Sequence, residues 1–142
     1  MGYTINGMNI YFAASIRGGR GDEDIYRQLI NELQRYGTVL TEHIAHPDDV
    51  ERGMTDGEIY ERDMDWLREA DVVVAEVSTP SLGVGYELAS AESLGKRVLC
   101  LFCPSSGGSL SAMISGSKQL AVAGYETIQE ASLAIREFLS SS

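Results

Sequence analysis

Short apolar runs alternate along this chain with segments whose apolar residues recur every three or four positions. The first pattern predicts buried strands and the second predicts amphipathic helices. Residues 8–14 read as a first strand. Over residues 23–36, Ile25, Leu29, Ile30 and Leu33 share one helical face, and Gly37 is a natural stop. Residues 38–43 read as a second strand, followed by a loop over 44–55 rich in Pro, Asp and Gly. A helix over 57–69 leads into 71–77, a continuous apolar run that suits a strand covered on both faces. A third helix, 83–94, stops at Gly95 and precedes a strand over 97–102. A short helix near 110–115, a weak fifth strand over 120–124 and a last helix over 128–139 complete the pattern.

Strands and helices in strict alternation predict an α/β architecture, a five-stranded parallel sheet wound on both faces, flavodoxin- or Rossmann-like. One such domain accounts for residues 1–142, with 1–7 as a short tail. In sheets of this kind ligands bind beyond the carboxyl ends of the strands, at the point where strand order reverses. Three loops fall there: Ser15-Ile-Arg-Gly-Gly-Arg-Gly21, Ser78-Thr-Pro-Ser-Leu-Gly-Val-Gly-Tyr-Glu87 and Pro104-Ser-Ser-Gly-Gly-Ser-Leu-Ser111.

Charge narrows the partners. The net charge is −10 with no basic block, which argues against a nucleic-acid surface but not against a small anion held by local donors. No apolar run approaches a membrane span, and the first residues lack the basic and apolar regions of a signal peptide. A cytoplasmic protein is expected, with the nucleus open as well in a eukaryote. Cys100 and Cys103 have C-x-x-C spacing, but they lie in an apolar strand where positions three apart face opposite ways. Ordinary buried cysteines are expected there rather than a metal or redox pair.

The candidate chemistry lies in two carboxylates on apolar stripes. Asp63 is three or four residues from Ile59, Tyr60, Trp66 and Leu67, and Glu87 stands among Val84, Leu88 and Ala91. A core-facing charge is costly unless it is paired or lines a cleft. Each acid could be structural, capping a turn or pairing with an arginine. Placed on consecutive helices around one strand, they also fit a paired-carboxylate site of the kind used in glycosyl transfer. Glu87, near a helix start, would stay ionised as a nucleophile, and Asp63, if desolvated, would be the proton donor. The loop Ser15-Ile16-Arg17-Gly18-Gly19-Arg20 offers glycine backbone, a hydroxyl and guanidinium donors to a phosphate. It is neither a dinucleotide fingerprint nor a Walker loop. Ser81, Gly83 and Gly85 add donors at the start of the third helix. Tyr11 and His43 lie near strand ends, where packing or a structural histidine is the plainer role, and His46 is expected to be solvated.

Several of these stretches together resemble the nucleoside 2-deoxyribosyltransferase family. They are Tyr11-Phe-Ala-Ala-Ser-Ile-Arg-Gly-Gly-Arg20, Leu40-Thr-Glu-His43, Glu61-Arg-Asp-Met-Asp-Trp-Leu67, Ala70-Asp-Val-Val-Val-Ala-Glu-Val77, Pro80-Ser-Leu-Gly-Val-Gly-Tyr-Glu-Leu88 and Leu110-Ser-Ala-Met-Ile114. The resemblance implies hydrolysis of the N-glycosidic bond of a 2'-deoxynucleoside 5'-monophosphate, giving free base and 2-deoxyribose 5-phosphate, with no metal or organic cofactor. It makes Glu87 the nucleophile, Asp63 the acid that assists base departure and Tyr11 the residue that orients the nucleophile. Ser15, Arg17, Ser81 and Gly83 fall at the 5'-phosphate site, Ile16 and Gly18 are further substrate-binding positions in the same loop, and His43 lies near the base. Ser111, with Met113 beside it, corresponds to a residue supplied by the neighbouring subunit, which implies a homodimer. The loop from 44 to 57 matches no pattern and lies where the base should sit, so base preference is not legible.

Other readings differ in what they require. A transferase would pass the sugar to a second base, and a ribonucleotide hydrolase would accept a 2'-hydroxyl. A flavodoxin-like carrier would want a Ser/Thr-rich phosphate loop where Arg17 and Arg20 stand. A nucleotide sensor would not need both carboxylates.

Overall fold

A computed structural model describes residues 7–16, 22–45 and 53–141. Its element order is β1 (Asn9–Ala14), α1 (Asp22–Leu33), β2 (Thr38–Val39), a 3-10 turn at Glu42–Ala45, α2 (Asp56–Glu69), β3 (Val72–Glu76), α3 (Leu82–Ser93), β4 (Arg97–Phe102), a second 3-10 turn at Pro104–Ser106, α4 (Ala112–Ser115), β5 (Leu120–Gly124) and α5 (Ile128–Ser140). The five strands form one parallel sheet in the order β2-β1-β3-β4-β5. Strand order reverses between β1 and β3, whose carboxyl ends therefore flank the switch point.

Side-chain alternation along the strands feeds two cores. Ile10, Phe12, Val72, Val74, Leu99 and Leu101 pack beneath α1 and α5. Tyr11, Ala13, Val73, Ala75, Val98 and Cys100 pack beneath α2 and α3. Every residue of β3 is buried, as its unbroken apolar run requires. The two cysteines are free thiols. Cys100 belongs to the α2/α3 core and Cys103 packs against the other, so the period-two geometry separates them.

Local chemistry sets the helix ends. Thr55 caps α2 and exchanges bonds with Glu58 in a capping box. Ser81 caps α3, accepting from Val84 N at 3.2 Å. Gly95, at φ +73°, takes the left-handed turn that ends α3.

The second strand departs from the sequence expectation of residues 38–43. It pairs only at Thr38 and Val39, and the chain then turns into the 3-10 segment. Thr41 explains the exit: its Oγ1 accepts from Phe12 N at 2.9 Å and donates to Phe12 O at 2.7 Å. A side chain thus satisfies both main-chain groups that a continued strand would have engaged, and the backbone is released from the ladder.

Candidate active site

The two carboxylates meet at one cleft. Between α2 and α3 lies a cleft of about 370 Å³ lined by Ile59, Tyr60, Asp63, Met64, Tyr86 and Glu87, with Gly83 at its edge. Each acid arrives there by helical phase. Leu67 continues the α2 stripe into the core, while Asp63, one turn earlier, emerges at the cleft. Val84 and Leu88 anchor α3, and Glu87 turns toward the end of β1.

Tyr11 reaches Glu87 from inside the sheet. The phenol is 1% exposed, and its Oη donates a short hydrogen bond to Glu87 Oε2. Burial, then the charge and hydrogen bond of Glu87, then the charge of Asp63, push the phenol far above its ordinary ionisation range. Tyr11 donates to Glu87 and fixes one oxygen of the carboxylate in place.

Of the arrangements left open for Asp63, the structure shows a pairing with an arginine. Its Oδ1 accepts from Arg62 Nε at 3.0 Å and Arg62 Nη2 at 2.9 Å, and its side chain is 28% exposed. A guanidinium this close favours a carboxylate's charged form. Arg62 also lies over the Trp66 ring, 4.8 Å from its centroid, with Nη2 3.2 Å from His43 Nε2. The His43 and Trp66 rings sit 5.4 Å apart. His43, expected near a ligand, is thus joined to Asp63 through a cation that the sequence reading named only as a generic arginine partner. The adjacency of Arg62 and Asp63 was the signal for it.

The remaining candidates divide between two places. Ser15 is buried at the end of β1, and Ile16 beyond it is half exposed. Arg17 and Gly18 lie outside the described residues, as does His46. Ser81, Ser111 and Met113 line a separate groove of about 490 Å³ between α3 and the segment leading into α4, together with Leu82, Leu88 and Ile114. Ser81 and Ser111 each use Oγ to accept a helix N–H. A hydroxyl in that role keeps its proton to donate. Leu82 and Met113 are 97% and 83% exposed, an unusual state for two neighbouring apolar side chains.

Two tyrosines beside the carboxylates were missed. Tyr60 and Tyr86 face each other across the cleft with hydroxyls 3.3 Å apart and rings edge to face. Their phase one turn before Asp63 and one residue before Glu87 was legible, but nothing in the sequence shows that α2 and α3 converge.

The family model described as Nucleoside 2-deoxyribosyltransferase matches residues 10–114. A 5-hydroxymethyl-dUMP N-hydrolase from Esox lucius is 57% identical over 115 residues, covering 78% of this chain and 79% of that protein. One from Mus musculus is 57% identical over 113 residues, covering 77% of this chain and 65% of that protein. Among solved structures, a CMP N-glycosidase from Clostridium botulinum superposes with a TM-score of 0.68 at 18% identity, covering 91% of this chain and 98% of that one. At that identity the likeness is one of fold.

Proposed function

The chain belongs to the nucleoside 2-deoxyribosyltransferase family, and from that premise we propose that it hydrolyses the N-glycosidic bond of 2'-deoxynucleoside 5'-monophosphates. The observation that carries the reading is the convergence of Asp63 and Glu87 on one cleft, with Tyr11 bonded to Glu87. In the first step the Glu87 carboxylate attacks the anomeric carbon. The bond to the base nitrogen breaks, the base takes the electron pair, and it is protonated as it leaves. Asp63 faces the same cleft and, in its protonated form, assists that departure by giving its proton to the base. In the second step water attacks the anomeric carbon and gives a proton to the Asp63 carboxylate, the ester bond to Glu87 breaks, and 2-deoxyribose 5-phosphate leaves with the Glu87 carboxylate restored. Two carboxylates supply this chemistry without a metal or organic cofactor.

Within that class we assign 5-hydroxymethyl-dUMP as the preferred substrate, on the strength of the fish and mouse relatives. The 5'-phosphate is held by Ser15, Ile16, Arg17, Gly18, Ser81 and Gly83, and the base lies toward His43. Ser111 and Met113 act in the neighbouring subunit of a homodimer. The exposed Leu82 and Met113 around Ser111 support that assembly, since association would cover them. A free deoxynucleotide substrate supports a cytoplasmic or nuclear site of action; among the described residues no helix is long and apolar enough to cross a membrane.

The test is release of free base from a panel of nucleosides, deoxynucleotides and ribonucleotides, with and without an acceptor base. Faster release from 5-hydroxymethyl-dUMP than from dUMP, dTMP or any free nucleoside is expected. Base exchange exceeding hydrolysis would instead make the chain a transferase.

A further inference from the structure

Behind the cleft, on the opposite face of the sheet, lies a carboxylate that the proposed reaction does not use. Glu76 ends β3 and is 3% exposed. Alternation places it with Val72 and Val74 on the α1/α5 side, whereas Glu87 approaches from the α2/α3 side. Three donors meet it. Ser78 N reaches Oε1 at 2.7 Å, Ser78 Oγ reaches Oε2 at 2.8 Å, and the buried Tyr125 donates a short bond to Oε2 from just beyond β5. Ser78 Oγ in turn accepts from Cys103 N at 2.8 Å, just beyond β4. The next residue, Thr79, donates from Oγ1 to Asp22 Oδ2 at 3.3 Å, at the first residue of α1.

Glu76, directly and through Ser78 Oγ, therefore ties together the ends of β3, β4 and β5. What it grips is the start of the short segment that runs from β3 to the Ser81 cap of α3. The strand register also sets Glu76 beside Ala14, the residue before Ser15. A buried carboxylate carries a desolvation cost, and a well-packed apolar residue in its place is often neutral or stabilising. Stability alone gives no reason for an acid here, but a fixed loop does. Two bonds to consecutive polar atoms of one residue hold Ser78 in a single backbone conformation.

We propose that Glu76 is a positioning residue for the 5'-phosphate subsite, clamping Ser78 so that the β3–α3 segment presents Ser81 and its neighbouring N–H groups to the phosphate. This rests on the monophosphate reading given above. Glu76 touches no substrate; it acts through the main chain of residues 78–81.

Three variants of the full chain test it, each assayed for base release from a deoxynucleoside monophosphate and from the matching nucleoside, with thermal stability measured alongside. Glu76→Gln replaces an acceptor with an amide donor that must oppose either Ser78 or Tyr125. Ser78→Ala removes the clamp's hydroxyl and leaves the buried acid. Tyr125→Phe removes a donor outside the loop. Glu76→Gln and Ser78→Ala are expected to raise KM for the monophosphate by about tenfold, the scale of one lost charge-assisted contact, with kcat and the nucleoside reaction little changed. Tyr125→Phe is expected to lower stability while keeping the monophosphate preference. Should Glu76→Gln fail to fold, Ser78→Ala decides. Unchanged preference in Ser78→Ala and Glu76→Gln, whatever their stability, overturns the positioning role and leaves Glu76 structural. A wild-type chain with no preference for the monophosphate would overturn the phosphate reading itself, and this inference with it.

Discussion

Replacing Glu87 with Gln separates a nucleophile from a structural acid, because the two roles predict different pairs of measurements. The amide has the shape of the carboxylate, and its oxygen can still accept from Tyr11 Oη. What is lost from the fold is the difference between a charge-assisted hydrogen bond, worth roughly 1.5–3 kcal/mol, and a neutral one, worth about 1 kcal/mol. That leaves a net cost of about 0.5–2 kcal/mol, or a few degrees in Tm for a chain of this length. Turnover is another matter, since an amide cannot form the glycosyl ester. Removal of a covalent nucleophile should lower kcat by three powers of ten or more, about 4 kcal/mol or more in the barrier. The assay is chromatographic release of free base from 5-hydroxymethyl-dUMP, with calorimetric binding of the same nucleotide and a melting curve. Expected are retained binding, a small Tm decrease and near-complete loss of turnover. Turnover within tenfold of wild type would refute the nucleophile assignment. Loss of binding and fold together would make Glu87 a structural acid.

Three further outcomes follow from the geometry. Mixing Glu87→Gln subunits with Ser111→Arg subunits should restore activity above either variant alone, because one mixed site keeps its own Glu87 and borrows an intact Ser111; no recovery after exchange confirmed by native mass spectrometry would place Ser111 outside the neighbouring site. Thr41→Val strips Phe12 N and O of their buried partner, and should cost roughly 2–4 kcal/mol in urea denaturation; a loss under about 1 kcal/mol would mean that the sheet edge rearranges freely. Alkali should unfold the protein: burial raises Cys100 from 9.0 to about 12 and lifts Tyr11, Tyr26 and Tyr125 above their ordinary value of 10.0. Across that window the unfolded chain releases protons that the native state keeps, so stability is fully present below pH 9 and falls as pH rises, by up to ~1.4 kcal/mol per pH unit for each group. A flat urea midpoint between pH 8.5 and 10.5, a window chosen to span those values, would contradict this.

The strand and helix pattern was legible because each element carries a clean period and a recognisable stop. The β3 run and Gly95 after α3 each state their role locally. The second strand was overextended because Thr41 looks like an ordinary strand residue; only the position of β1 shows that its hydroxyl displaces the ladder. The same limit applied to chemistry. Asp63 and Glu87 stood out as charges on apolar stripes. The adjacency of Arg62 and Asp63 allowed a pair, but only the rotamer of Arg62 shows that it forms. Glu76 was overlooked because the run Val72-Val-Val-Ala-Glu76 reads as a strand that simply ends in a polar residue. Its partners lie 49 residues away at Tyr125 and at the adjoining turn.

The bond from Tyr11 to Glu87 spans 76 residues of chain. Between its ends the polypeptide must complete β2, α2 and β3, and it must seat β3 against β1 before the nucleophile meets its donor. Helices can form locally within microseconds, but parallel pairing between distant segments carries the loop-closure cost that slows folding. A ribosome will also have released β1 long before β3 emerges, so the first strand waits with its edges unpaired. Catalytic competence therefore waits on tertiary pairing and not on local structure. Recovery of turnover during refolding should trail the return of helical signal, and an active molecule certifies that β1 and β3 have paired.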